Sequence, residues 1–143
     1  MAELVTVDRE TVAAFIAAER DKPWAPGSVD CCMVLASWAM WLGHPDPVAE
    51  YRGAYSDEAG LNALIDGRGG VLPFVADAVA RIGGTRLERA RCGAVGVLGS
   101  KSNPRRQFGA IHDGKSWRVR MINDYGAMCA APLAVWDIGK VAR

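Results

Sequence analysis

Apolar residues recur at helical spacing in four stretches of the N-terminal half. Val12, Phe15 and Ile16, with Glu19 as a polar edge, predict a first helix. Thr6 or Asp8 caps it, and it ends near Arg20, before Lys22-Pro23. Val34, Leu35, Trp38, Trp41 and Leu42 predict a second helix from about Cys31 to Leu42, with Gly43 as its stop. This one is apolar nearly all round, which makes it central. His44-Pro45-Asp46-Pro47 is a rigid connector. Leu61, Leu64 and Ile65 turn inward on a short third helix, about Asp57 to Asp66, which Ser56 caps. Gly67 to Gly70 forms a flexible joint, and a fourth helix runs from about Val71 to Ile82, closed by Gly83-Gly84.

Beyond Gly84 the period changes from helical to alternating. Thr85 to Glu88, Ala94 to Leu98, Gln107 to His112, Trp117 to Ile122, Ala127 to Ala130 and Leu133 to Trp136 are the expected strands. Asp113-Gly114 between two of them predicts a hairpin turn. The strands at 94–98, 107–112 and 117–122 are expected side by side in that order, because sequential strands with short links pair. Helices first and strands second predict an α+β domain in which the N-terminal helices pack on a small antiparallel sheet.

Composition narrows the partners. The 143 residues suit one domain, 1–143. Lys+Arg 17 against Asp+Glu 16 leaves no basic excess for a nucleic-acid footprint. The polar, basic loop from Gly99 to Arg106 is expected to be solvated. The N-terminus lacks a basic n-region with a long apolar run, and no stretch is long enough to insert in a membrane. Synthesis in the cytoplasm without a signal peptide is the expectation. Cys31, Cys32, Cys92 and Cys129 form no C-x-x-C pair, and His44 and His112 are not at zinc-finger spacing. Reduced thiols, no metal and no cofactor are therefore expected.

The candidate chemistry lies where the chain enters its central helix. Trp24-Ala25-Pro26-Gly27-Ser28-Val29 is turn-rich and delivers Asp30-Cys31-Cys32 onto the helix start. Asp30 suits an N-cap. Cys31 then falls in the first turn, where unpaired N–H groups and the positive dipole end favour a thiolate. The same pattern also suits two buried thiols in a core helix.

An aromatic, then Pro and Gly, then Asp-Cys at a helix start resembles the NlpC-type papain-like cysteine peptidases. The later strands Gly-x-Val-x-Val and x-x-Gly-x-Ile fit the same pattern. The chain is more narrowly similar to small proteins of this kind from tailed phages, prophages and gene transfer agents. It shares Trp24…Gly27…Asp30-Cys31-Cys32…Ala36…Trp38…Gly43…Asp46-Pro47…Tyr51-Arg52-Gly53…Tyr55, and the terminal Ala131-Pro132-Leu133-Ala134-Val135-Trp136. The resemblance implies a papain-like fold and a place at the phage tail tip, in the virion. The implied partners are a tail hub or other tail-tip proteins, with a peptidoglycan peptide as the substrate.

The implied reaction needs a thiolate, a base that takes its proton and returns it to the leaving amine, and a group that orients the base. By the resemblance Cys31 is the nucleophile, supported by Asp30. The family's histidine falls on Gln107, two residues before Gly109 in Gln107-Phe108-Gly109-Ala110-Ile111. A glutamine takes no proton at neutral pH. His112 is the nearest replacement, yet residues 107, 109 and 111 share a strand face that 112 does not, unless Gly109 makes a bulge. His44 lies at the far end of the cysteine helix, about 18 Å along it at 1.5 Å per residue. Two expectations follow: a catalytically degenerate peptidase-like tail-tip protein bound to a hub, or an active peptidoglycan endopeptidase using Cys31 to open the cell wall during DNA entry. For hub binding, Trp24, Tyr51, Tyr55, Trp117 and Tyr125 are the aromatic candidates.

Overall fold

The computed structural model describes residues 4–122 and 124–141, so both ends of the expected 1–143 domain lie outside the described residues. Four helices precede most of the sheet. α1 (Arg9–Arg20) is capped by Asp8 and not by Thr6: the Asp8 carboxylate accepts the Thr11 N–H at 2.8 Å. Its buried stripe is the expected Val12, Phe15, Ile16 and Glu19. α2 (Met33–Trp41) is the apolar helix, shorter than expected at its start. α3 (Glu58–Gly67) begins one residue later than expected because Asp57, not Ser56, accepts the Gly60 N–H at 2.7 Å. α4 (Val71–Arg81) follows Gly70.

The short β1 (Leu4–Val5) and β8 (Lys140–Val141) pair with each other and join the two ends of the described chain. The main sheet has β2 (Thr85–Leu87), β3 (Val95–Gly99), β4 (Gln107–His112), β5 (Trp117–Arg120), β6 (Tyr125–Met128) and β7 (Ala134–Asp137). Their order is β2-β7-β3-β4-β5-β6, and every pair is antiparallel. The expected adjacency of β3, β4 and β5 is found. β7 enters between β2 and β3, which no local pattern indicates. β5 stops at Arg120, short of the expected Ile122, because the chain turns there, the Met121 N–H meeting the Asp124 carbonyl at 2.6 Å.

Alternation divides the sheet into two faces. Val95, Val97 and Ile111 pack with all four helices in the main core. Ala94, Leu98, Ala110, Trp117, Val119 and Val135 form a second cluster on the other face. Trp38 at the heart of α2 is fully buried, and its indole N–H donates to the Gly93 carbonyl at 3.0 Å. No helix is long and apolar enough to cross a membrane, among the described residues.

Candidate functional site: the cleft at Cys31

Asp30 organises the entry into α2. It is wholly buried, and its carboxylate accepts four hydrogen bonds. One oxygen takes the Cys32 and Met33 N–H groups at 2.9 and 2.8 Å. The other takes the Gly27 N–H at 2.9 Å and the Tyr55 hydroxyl at 2.6 Å. The Asp30 carbonyl already accepts the Val34 N–H at 3.0 Å, a helical i to i+4 bond. Cys31 therefore sits in the opening turn, as expected, although the regular helix starts only at Met33. The N–H groups that Asp30 satisfies are the orphan donors of the helix start.

Strand β4 lies against this turn. A Cβ on Gly109 would stand 2.7 Å from Leu35 Cδ1 and 3.0 Å from the Cys31 carbonyl oxygen. Only a residue without a side chain lets the strand approach this closely. Gln107, on the same strand face, lines the same open cleft as Cys31. The cleft holds ≈ 310 Å³. One wall is α3, with Glu58, Asn62 and Asp66 at successive i, i+4 positions; Phe108, Met121 and Ile122 form an apolar rim opposite.

Gln107 is nearly buried and bonded at both ends of its amide. Its Oε1 accepts the Leu72 N–H at 3.1 Å, at the start of α4, and its Nε2 donates to the Ser100 carbonyl at 3.1 Å. These partners fix which end is oxygen, since one is a donor and the other an acceptor. The residue at the expected base position thus braces α4 and the basic loop, and takes no proton.

The structure does not bring His112 to Cys31. It sits at the other end of β4, about 17 Å from Gln107 at 3.3–3.4 Å per residue. Register runs without a bulge from Gly99↔Gln107 to Val95↔Ile111, so 112 keeps the opposite face. Its ring packs edge-on against Trp117 at 4.9 Å, and its Nδ1 accepts the Gly114 N–H at 3.1 Å. Burial lowers its pKa, so the ring is neutral at pH 7. Its neighbour Asp113 shapes the turn, accepting the Lys115 and Ser116 N–H groups. His44 is also structural: Nε2 lies 2.8 Å from both the Ile138 and Gly139 carbonyls. These are the chain's two histidines, and neither lines the cleft.

Cys31 is half-buried; it and the other three cysteines, buried Cys32, half-buried Cys92 and exposed Cys129, are all free thiols. Hydrogen bonding from the buried Cys32 thiol lowers the Cys31 pKa; burial and the negative charges of Asp30 and Glu58 oppose this. The Cys32 thiol is itself pushed well up by that bond and by burial, and stays protonated. Arg105 in the cleft is paired with Asp66 at 2.7 Å. Arg120 is buried and donates to the Glu19 and Lys22 carbonyls at 2.8 Å each, at the C-terminal end of α1. The cleft therefore offers a thiol whose pKa is lowered and the Glu58 and Asp66 carboxylates of α3, but no imidazole.

Several aromatic expectations are overturned. Trp117 and Tyr125 are buried, the first in the second cluster and the second in the main core. Tyr51 packs against Phe74 at 5.5 Å, and Tyr55 is held by Asp30. Only Trp24 lines the cleft. Among the described residues, the large apolar side chains in solvent are Met40, Trp41, Phe108, Met121 and Ile122. Glu58, Asn62, Asp66 and Arg105 were not singled out from the sequence. The i, i+4 spacing of the first three was the available signal, but it does not say which wall that face meets.

Four helices against an antiparallel sheet, with a cysteine at the head of the central helix, define an α+β domain with a thiol-bearing cleft. Residues 6–137 match a family described as a domain of unknown function (DUF6950), and the chain belongs to it. No curated protein and no solved structure matches it.

Proposed function

We propose that this chain is a phage or gene-transfer-agent tail-tip protein with a papain-like, NlpC-type cell-wall peptidase fold. In this reading it is catalytically degenerate and bound to a tail hub in the virion. The observation that carries the proposal is Gln107: the position in the Cys31 cleft where the resemblance puts the base holds an amide engaged at both ends. Amide cleavage by a thiolate needs a proton delivered to the departing nitrogen, or the tetrahedral adduct expels the thiolate instead. Neither histidine reaches the cleft, so that step has no imidazole to donate the proton, and the Asp66 carboxylate is held by Arg105. The exposed Phe108, Met121 and Ile122 at the cleft rim suit a protein kept for contact.

A second reading, an active peptidoglycan endopeptidase, draws on the lowered Cys31 pKa and the open cleft beside it. One pair of assays separates the two. Muropeptides are incubated with the wild type and with Cys31→Ala, and both proteins are tested for incorporation into particles. No cleavage by either, with both incorporated, supports the first reading. Cys31-dependent release of stem or cross-bridge peptides establishes the second. Normal infectious particles assembled without the protein rule out the tail-tip role.

A further inference from the structure

The hydrogen-bond chain behind Cys31 has a third member that the site chemistry above leaves unused. We infer that Tyr55 is a positioning residue for the Cys31 thiol, acting through the Asp30 carboxylate. The inference rests on the reading of Cys31 as a nucleophile position. Its readout is the thiol and not proteolysis, so its failure and the failure of the peptidase-like reading are distinguishable.

The geometry is a closed bracket. Tyr55 comes from the connector before α3 and donates its hydroxyl to the Asp30 oxygen that also holds Gly27. The Gly27 carbonyl accepts the Gly53 N–H at 2.8 Å, so loop and connector are tied twice. Gly27 has φ +94, and a Cβ there would drive into the Tyr55 carbonyl oxygen. On the other side, a Cβ on Gly60 would stand 2.6 Å from Tyr55 Cβ, so the first turn of α3 lies close against the base of the Tyr55 side chain. Tyr55 is thus clamped between the nucleophile loop and the helix that forms the cleft wall.

The hydroxyl also has an electrostatic consequence. Burial and the Asp30 carboxylate push the Tyr55 pKa far above its usual range, so it donates at every working pH. A donated hydrogen bond spreads the carboxylate's charge and shields the adjacent thiolate from it. The other groups acting on Cys31 are Cys32 on its own turn and Glu58 from α3, and the neutral Gln107 from β4 lines the same cleft. Arg105 is engaged by Asp66 and Arg120 by backbone carbonyls, so neither replaces Tyr55.

The test uses the full chain carrying Cys92→Ser and Cys129→Ser, with Cys31→Ser added as the blank. Iodoacetamide rates are followed against pH for the parent, Tyr55→Phe and Asp30→Asn. Tyr55→Phe leaves Asp30 with one donor fewer. The alkylation midpoint is expected to rise by about half to one unit, roughly three- to ten-fold slower reaction at neutral pH. Asp30→Asn removes the charge, and its midpoint is expected to fall. A purely structural tyrosine would lower the melting temperature and leave the midpoint in place, and that result overturns the inference. If Tyr55→Phe does not fold, 3-fluorotyrosine at position 55, a stronger donor of the same shape, decides: a fallen midpoint supports the inference, and an unchanged or raised one overturns it.

Discussion

Gln107→His is the perturbation that bears most directly on the site. The amide makes two neutral hydrogen bonds, to the Leu72 N–H and the Ser100 carbonyl. Each is worth about 0.5–1.5 kcal/mol net, and a buried group left without its partner costs about 1–3 kcal/mol. An imidazole offers one donor and one acceptor but not at the amide's spacing, so one of the two bonds is lost. The expected destabilisation is about 1–3 kcal/mol, against a total stability of about 5–15 kcal/mol. The variant should fold, with a melting temperature lower by roughly 2–4 °C per kcal/mol. In exchange, the cleft gains a group able to take the Cys31 proton and return it to a leaving amine. Positioned acid–base groups supply about 10²–10⁴-fold in rate.

The assay compares muropeptide digestion by wild type, Gln107→His and Gln107→His/Cys31→Ala. Cleavage is expected from the single variant alone. The thiol supplies a second readout, because an imidazolium beside a thiolate lowers its pKa. Iodoacetamide alkylation of Cys31 in Gln107→His should therefore begin at lower pH than in the wild type. A folded Gln107→His protein whose alkylation profile matches the wild type would refute the reasoning, since residue 107 would not then face the thiol.

Other consequences are directly measurable. Asp30→Ala should cost more than the about 1 kcal/mol of a simple helix cap. It strands the buried Gly27 N–H and Tyr55 hydroxyl as well, and a loss of about 3–5 kcal/mol is expected by urea unfolding; a loss near 1 kcal/mol would deny the buried network. Gly109→Ala should cost about 1–3 kcal/mol by overpacking against Leu35, and should alter Cys31 alkylation because the new methyl pushes β4 from the α2 turn. His112 has a lowered folded pKa, so the unfolded chain binds its proton more tightly. Its contribution to stability is complete above about pH 6.5 and is lost as pH falls through the folded value. Chemical denaturation from pH 7.5 to pH 5 should show this acid-side slope, and His112→Gln should flatten it. Asp46 and Asp113, also lowered, act at more acidic pH and leave that window unchanged.

What the sequence disclosed depended on how local each signal was. α1 to α4 were legible because their apolar spacing lies within each segment, as with Val12, Phe15 and Ile16. Their caps were ambiguous by one or two residues where two capping types stand close together, as with Ser56 and Asp57. Asp30-Cys31 at the helix head was legible from residue type, whereas Gln107 was marked only by the resemblance, with strand alternation arguing against His112. The insertion of β7 between β2 and β3 was not, since it depends on pairing between Val95 and Trp136, far apart along the chain. Tyr125 looked like a strand-end aromatic. The register Arg120↔Tyr125 carries β6 two residues earlier than the alternation suggested and buries it. The Tyr55–Asp30 bond joins residues 25 apart, and nothing local marks it.

In the proposed reading, position 107 shows how the framework of a nucleophile site can stand without a base. A side chain there must meet the first turn of α4 through Leu72 and the polar loop through Ser100, whatever chemistry the cleft performs. Glutamine meets both demands with a planar amide that has a donor at one end and an acceptor at the other. A base must instead exchange a proton with the thiol and turn toward a leaving amine, and a ring held on both nitrogens does neither. Bracing and catalysis therefore compete at this position, and here the bracing bonds are the ones made. The Asp30 network carries no such conflict. Its four bonds hold Cys31 at the helix head whether or not a proton acceptor lies opposite. That is why Gln107→His and the Cys31 alkylation profile, taken together, separate a retained scaffold from a working enzyme.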